Sequence, residues 1–386
     1  MQNGSMRRYR AGIVGHTGAG DYGHDLDLTC GRMAELEVVG VADPDPAGRA
    51  AAAARSGAAR TYASYAEMLD RERLDLVVVA PRFVGEHEAL LLAAVGAGAH
   101  VYCEKPLVRT LAEADRVLAA AERAGVKVAV AHICRAFKAM ERIRTLVAAG
   151  EIGPLRRIQG LGKCDRRGGG QDLAVLGTHI LDMMCFFAGA PLWAHAHISQ
   201  AGRDVVAEDI REGDEGVGLV AGDHITSHYA FQGGVVGAFE SFSAQDSAPT
   251  SYFSLRLEGT TGTIGIKSFG DRQLFRHRRA AQLPGLDERW EPLVLEGHEP
   301  EGPDDSNERY IWAHHQLIRD LLRSAEAGTE PVASARASAA SIEMIMAAYE
   351  SHFAGRRIPF PLADREHPLE RIAGERLGAP ASGAVR

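Results

Sequence analysis

Through the first third of the chain, short apolar runs alternate with amphipathic stretches, and the alternation predicts strand–helix pairs. RAGIVG (10–15) reads as a first strand and Leu26–Met33 as a helix. LEVVGVADPD (36–45) is a second strand ending on an acid, and the alanine-rich AGRAAAAARS (47–56) is helical. YASYAEMLDRE (62–72) reads as a short helix, LDLVVVAP (74–81) as a third strand stopped by Pro81, and EHEALLLAAVGAG (86–98) as a helix ending in glycine. HVYCEKPLV (100–108) is a fourth strand with its loop, LAEADRVLAAAERAG (111–125) a helix and VKVAVAH (126–132) a fifth strand. Such regular alternation predicts an α/β fold with a doubly wound parallel sheet.

The pattern changes after Arg135. AFKAMERIRTLVAAGEIG (136–153) is a helix ending in a glycine turn. Longer strand-like runs follow at 154–163, 193–202, 216–231, 235–243 and 251–267, with glycine turns that suggest antiparallel pairing. Two late helices are expected over 308–328 and 338–355. The expected organisation is a Rossmann domain (1–134), an α/β domain with a large, open, mostly antiparallel sheet (135–364) and a flexible tail (365–386).

Glycine use in AGIVGHTGAGDYGH (11–24) carries the first chemical signal. A dinucleotide pyrophosphate needs backbone N–H groups at close range, and side chains would block them. Gly15, Gly18, Gly20 and Gly23 follow a strand and precede a helix, the context such a loop requires. Read from Gly15, Thr17 stands where a second glycine usually falls; read from Gly18, residues 18–23 give G-x-G-x-x-G, enclosing Asp21 and Tyr22. Asp43 ends the second strand where an acid accepts from adenine-ribose hydroxyls, and its charge repels a 2′-phosphate, so NAD is expected over NADP. Pro81 and Arg82, after the third strand, are expected at the nicotinamide pocket; His87 is either a cofactor contact or a helix-surface residue.

The chain has 386 residues, 46% of them hydrophobic, and a formal net charge of −8, an ordinary globular composition that argues against a polyanion surface and hence nucleic acid. No apolar run suits a membrane helix, and Met1–Arg10 lacks a signal-type apolar segment. Cys30, Cys103, Cys134, Cys164 and Cys185 form no CxxC pair, which suits reduced thiols in a cytoplasm. His195/His197 and His314/His315 have no evident carboxylate or thiolate partner in sequence, so no metal is expected.

Glu104-Lys105-Pro106 after a strand, GTHILDMMCFFAG (177–189), LVAAGEIGPLRRIQG (146–160) and AAYESHFAGRRIPFPL (347–362) together resemble the glucose–fructose oxidoreductase / inositol dehydrogenase / MocA family, over most of residues 10–362. The resemblance implies an NAD-dependent enzyme moving hydride between a secondary alcohol of a sugar, cyclitol or sugar derivative and nicotinamide. It also implies a homo-oligomer, dimer or tetramer, built through the C-terminal sheet. His179 suits a general base because imidazole titrates near neutrality. Lys105 would bind the same oxygen and stabilise alkoxide, or itself serve as the base if burial beside oxidised nicotinamide lowers its pKa, with Pro106 fixing the backbone and Glu104 positioning the lysine or the nicotinamide ribose.

Members of that family commonly carry an aspartate four residues before the histidine; here Val175 stands there. Asp172, seven residues before His179, would share its face on a continuous helix and replace the acid; alternatively it is an N-cap. Asp182 is expected to be structural or to orient substrate. His132 and Arg135, after the fifth strand, are candidate substrate contacts. Lys163, Arg166 and Arg167 in GKCDRRGGGQD (162–172) would suit an anionic group on the sugar; the other reading is a solvated loop whose charges pair locally. Two rival functions follow from the same resemblance: a redox-neutral NAD-dependent glycosidase using transient oxidation, elimination, hydration and re-reduction, and a non-catalytic NAD or sugar sensor.

Overall fold

The computed structural model describes residues 8–244, 253–268, 270–279 and 289–378. Residues 1–5, Ser251 and Tyr252 of the last expected strand run, and 379–386 of the expected tail lie outside them. The chain divides into two compact units. Unit 1 comprises Met1–Arg109, Glu113–Lys138 and Glu301–Ala339; unit 2 comprises Thr110–Ala112, Ala139–Pro300 and Ala340–Arg386.

Unit 1 is built on six parallel strands: β1 (Tyr9–Val14), β2 (Leu36–Ala42), β3 (Arg60–Tyr62), β4 (Leu76–Val79), β5 (His100–Cys103) and β6 (Val128–Val130). Their order is β3-β2-β1-β4-β5-β6, the doubly wound arrangement whose order reverses between β1 and β4. All four residues of β4 are buried, as expected of a strand covered on both faces. Sequence periodicity gives five of the six strands. β3 escapes it because three residues between two helices carry too little pattern.

The connecting helices are α1 (Leu26–Gly31), α2 (Pro46–Ser56), α3 (Tyr65–Arg71), α4 (His87–Gly96) and α5 (Leu111–Ala124). α2 has a full set of end signals: the Asp45 side chain accepts from Gly48 N at 2.6 Å, Pro46 opens the first turn, and Gly57 closes it at φ 69°.

One late segment returns to this unit. The helix Ser306–Ala327 places Leu317, Ile318, Leu321 and Leu322 in one apolar cluster with Ile13, Leu26, Val41, Val78 and Tyr102. The strand members come from the same sheet face, so this helix covers that face. The chain therefore changes unit near the boundary expected at residue 134, at Lys138/Ala139, but the helix expected over 308–328 belongs with the first sheet.

Unit 2 holds a ten-stranded sheet whose longer strands are Leu155–Leu161, Pro191–Gln200, His224–Phe231, Val236–Phe242, Ser254–Gly259 and Thr263–Lys267. Val236–Phe242 and Ser254–Gly259 alternate buried and half-buried positions, the mark of a sheet with one face covered. Pairing is antiparallel except between Leu155–Leu161 and Val236–Phe242, which run parallel, so the sheet is mixed. The expected tail is in part ordered: Pro368–Gly378 is helical.

Leu321 is fully buried. Leu321→Ala should destabilise unit 1 by about 2–5 kcal/mol, read as a shift in the urea unfolding midpoint. No shift would mean that the helix does not belong to this core.

Candidate functional site

The glycine loop leaves β1 at its C-terminal end, the end at which ligands bind in open parallel sheets. The loop closes on itself: His16 and Asp21 pair through their backbones, Asp21 N donating to His16 O at 2.9 Å, and the Asp21 carboxylate accepts from Gly18 N at 2.9 Å. Asp21 adopts φ 52°, a left-handed conformation that aspartate tolerates. A Cβ on Gly15 would lie 2.3 Å from the Tyr22 ring, and one on Gly20 2.4 Å from Arg82 N, so both glycines permit close approach. Tyr22 is itself buried, its hydroxyl pushed far above the ordinary range by burial and then by Asp43. The helix does not begin directly after the glycines; α1 starts at Leu26 behind Asp25, which makes no side-chain cap.

Asp43 anchors the loop. It is 1% exposed, and its carboxylate accepts from Thr17 N at 3.1 Å, Thr17 Oγ1 at 2.8 Å and Asp45 N at 2.9 Å. The Arg49 guanidinium holds its carbonyl. Beside it lies a cavity of about 400 Å³. Gly15, His16, Asp43, Pro44, Tyr65 and Leu90 contribute to its walls. Its size and largely apolar lining suit an adenosine half. Its rim is fixed by His16 Nδ1 meeting Glu86 Oε2 at 2.8 Å. Sequence reading missed His16, Tyr65 and Glu86. Tyr65 is the first residue of α3 and lines the cavity from there; His16 was legible as the residue directly after the first loop glycine.

At the other side of the switch point, the loops after β4 and β5 are tied together. His87 is fully buried rather than on the helix surface: Nδ1 faces Pro106 O at 2.8 Å and Nε2 faces Pro81 O at 2.8 Å. It joins the Pro81–Arg82 loop to the one carrying Lys105. Arg82 N donates to Gly20 O at 3.2 Å, so the same loop also meets the glycine loop. Lys105 is 6% exposed, and its N–H donates to Glu104 Oε2 at 3.0 Å. Glu104 is fully buried; burial opposes its charge, but His24, whose Nδ1 meets Oε1 at 2.7 Å, and Lys105 hold it far below the usual range. His314 is not surface decoration: it is 1% exposed, shares this cluster with His24 and Glu104, and burial pushes it down to about 4 although Glu104 acts the other way. After β6, His132 is buried and Arg135 Nη1 donates to Val332 O at 3.1 Å.

In unit 2 the segment expected as one helix is two, Gly170–Val175 and Gly177–Ala188, with the break at Leu176. The spacing argument that put Asp172 and His179 on one face therefore fails. Asp172 is not an N-cap either; Gly169 is. The Asp172 carboxylate is fully buried, accepting from Ser241 Oγ at 2.5 Å and Cys164 N at 3.2 Å, while its Oδ1 has no hydrogen-bond partner. Burial raises its pKa. His179 is 7% exposed and meets the Phe253 ring edge-on at 6.2 Å. Val175 and Asp182 are buried on the same pair of helices.

The basic loop is largely neutralised. Asp165 takes Arg167 at 2.9 Å and Lys163 at 3.6 Å, and Arg167 also faces Glu215 at 3.6 Å. Burial alone would raise Asp165, but the Arg167 contacts lower it to about 2. Arg166 is exposed.

A parallel sheet in this order, a glycine loop and a buried acid after β2 define a dinucleotide-binding domain. Residues 9–132 match the family model described as "Oxidoreductase family, NAD-binding Rossmann fold". The model bears the name of the glucose–fructose oxidoreductase / inositol dehydrogenase / MocA oxidoreductases, so this stretch is similar to their NAD-binding domain. The chain is 35% identical to an inositol 2-dehydrogenase of Leifsonia xyli subsp. xyli over 186 residues, 46% of this chain and 54% of that protein. It is 26% identical to a D-apiose dehydrogenase of Paraburkholderia graminis over 91% of this chain and 88% of that one. At the higher identity the chain thus spans about half the length of its curated relative. A solved levoglucosan dehydrogenase, in complex with NADH and levoglucosan, shares the fold with TM-score 0.73 at 19% identity, covering 92% of this chain and 100% of that one. Among the described residues no helix is long and apolar enough to cross a membrane.

Asp43→Ala strands three donors and should weaken NAD binding about tenfold or more with the fold retained; calorimetric titration with NAD checks it, and an unchanged affinity would remove Asp43 from the ribose site. The fold raises the Asp172 pKa, so it favours the protonated form. Wild type should therefore lose thermal stability relative to Asp172→Asn as pH rises from the unfolded value, 3.8, toward neutrality; a pH-independent difference in Tm would contradict the burial cost.

Proposed function

We propose that this protein is an NAD-dependent dehydrogenase of a neutral sugar or cyclitol, oxidising a secondary alcohol. The observation that carries the proposal is Lys105: a buried lysine, fixed by Glu104 and the His87-tied loop at the C-terminal end of the sheet of an NAD-binding domain. A lysine is rarely buried without a task. Inositol 2-dehydrogenase and D-apiose dehydrogenase, the similar proteins, support the substrate class.

Bound NAD supplies the hydride acceptor. The chain's own groups hold the substrate and move the proton. Lys105 donates to the reacting oxygen and offsets its negative charge as the O–H proton leaves. His179 is the base that takes this proton. Asp172 acts at a distance from the chemistry, as a positioning residue that shapes the loop from Gly162 to Gly169 through Cys164 N and Ser241. His132, Arg135 and Asp182 stand as substrate-side candidates. A neutral substrate is preferred because Lys163 and Arg167 are already matched by Asp165 and Glu215. Self-association through the unit 2 sheet would use the face where Trp290, 41% exposed, packs over Gly265 beside Phe275.

Lys105→Ala and His179→Ala should each lower kcat by about a hundredfold or more, with NAD affinity within a few-fold of wild type. The assay follows absorbance of NADH and aglycone release together, over free sugars, inositols and aryl glycosides. NADH accumulation supports the dehydrogenase. Aglycone release without NADH establishes the redox-neutral glycosidase instead, and NAD binding without turnover on any substrate leaves the sensor.

A further inference from the structure

The cluster of His24, Glu104 and His314 lies within unit 1, and hydride transfer to NAD gives no task to either histidine. A donor atom from each falls within 4.8 Å of the others. Three separate regions bring them together: the residue after Gly23, the loop after β5 and the returning helix Ser306–Ala327. Glu104 is fully buried and His314 is 1% exposed, while the His24 side chain is 37% exposed and opens the cluster toward solvent.

His314 supplies the decisive feature. Its Nδ1 lies 2.7 Å from the Tyr102 hydroxyl, and its Nε2 is buried with no hydrogen-bond partner. When Nδ1–H donates to the Tyr102 oxygen, Nε2 presents a lone pair. That is how a metal-binding imidazole is held: the far nitrogen donates to an oxygen, which fixes the tautomer and aims the ligand nitrogen. Glu104 is likewise oriented, its Oε2 accepting from Lys105 N at 3.0 Å while Oε1 faces the cluster and His24. Parallel stacking of Tyr310 on His24, with centroids 5.8 Å apart, restrains that ring.

We propose that His24, Glu104 and His314 form a site for a divalent first-row transition ion of the zinc–cobalt–nickel class. Two imidazole nitrogens and one carboxylate oxygen match the donor preference of such ions and leave a position for water. Binding exchanges the present His24–Glu104 hydrogen bond for coordination and draws the three donors inward. The ion would bind the carboxylate that also receives the Lys105 amide, so loading would stiffen the loop carrying that lysine.

Cobalt(II) is the probe, because its visible d–d bands report coordination without any activity assay. The full-length protein, stripped with chelator and dialysed, is titrated with cobalt(II). The expected result is a saturable visible band at one ion per chain, displaced by zinc(II). His314→Gln and His24→Gln should each weaken binding about tenfold or more. His197→Gln, which alters a surface pair with Asp204 in unit 2, should leave binding unchanged. No stoichiometric band, or a band that survives both substitutions, overturns the site. His24 is the more exposed ligand, so His24→Gln keeps the test decisive if the buried His314 variant fails to fold. X-ray absorption on the wild-type cobalt form, expected to show two imidazoles and an oxygen donor, decides independently of any variant.

Discussion

A carboxylate removed from water costs several kcal/mol unless hydrogen bonds replace its hydration, and Asp43 sets this requirement for the N-terminal unit. Three donors converge on it, two from Thr17 and one from Asp45. The Thr17 pair fixes the glycine loop over the end of β1; the single Asp45 donor fixes the start of α2. The cavity beside Asp43 is the space left when those two segments are pinned. Binding capacity here comes from satisfying a buried charge, with little flexibility left to lose when a ligand enters.

The same logic runs along the switch point. His87 faces carbonyls of two loops and holds them at a fixed separation. Gly20 lets one of those loops touch the glycine loop. Positioning of Lys105 is thus inherited from contacts made well away from it, through backbone groups that tolerate few substitutions.

The strand–helix alternation, the glycine loop and Asp43 were legible because they depend on local pattern: continuous apolar strands, glycines at turns, an acid at a strand end. What was not legible depends on who neighbours whom. His87 looked like a helix-surface residue because its carbonyl partners lie in separate loops. His314 looked isolated because Glu104 is more than two hundred residues away in sequence. The face shared by Asp172 and His179 rested on an uninterrupted helix, and the break at Leu176 removed it. The basic loop allowed two readings, an anion site or local pairing, because sequence does not say which charges Asp165 meets; in the fold it collects both Lys163 and Arg167. β3 was missed because three residues carry no periodicity.

The helix that covers the first sheet, Ser306–Ala327, comes far along the chain from that sheet's last strand, Val128–Val130. During synthesis, the apolar face bearing Ile13, Val41, Val78 and Tyr102 emerges long before Leu317, Ile318 and Leu321 exist to cover it. Residues 139–300 of the second unit come between them in the chain, so that face lacks its covering helix while they are made. The Rossmann unit therefore matures late although it is translated early, and no single cut in the chain yields it whole.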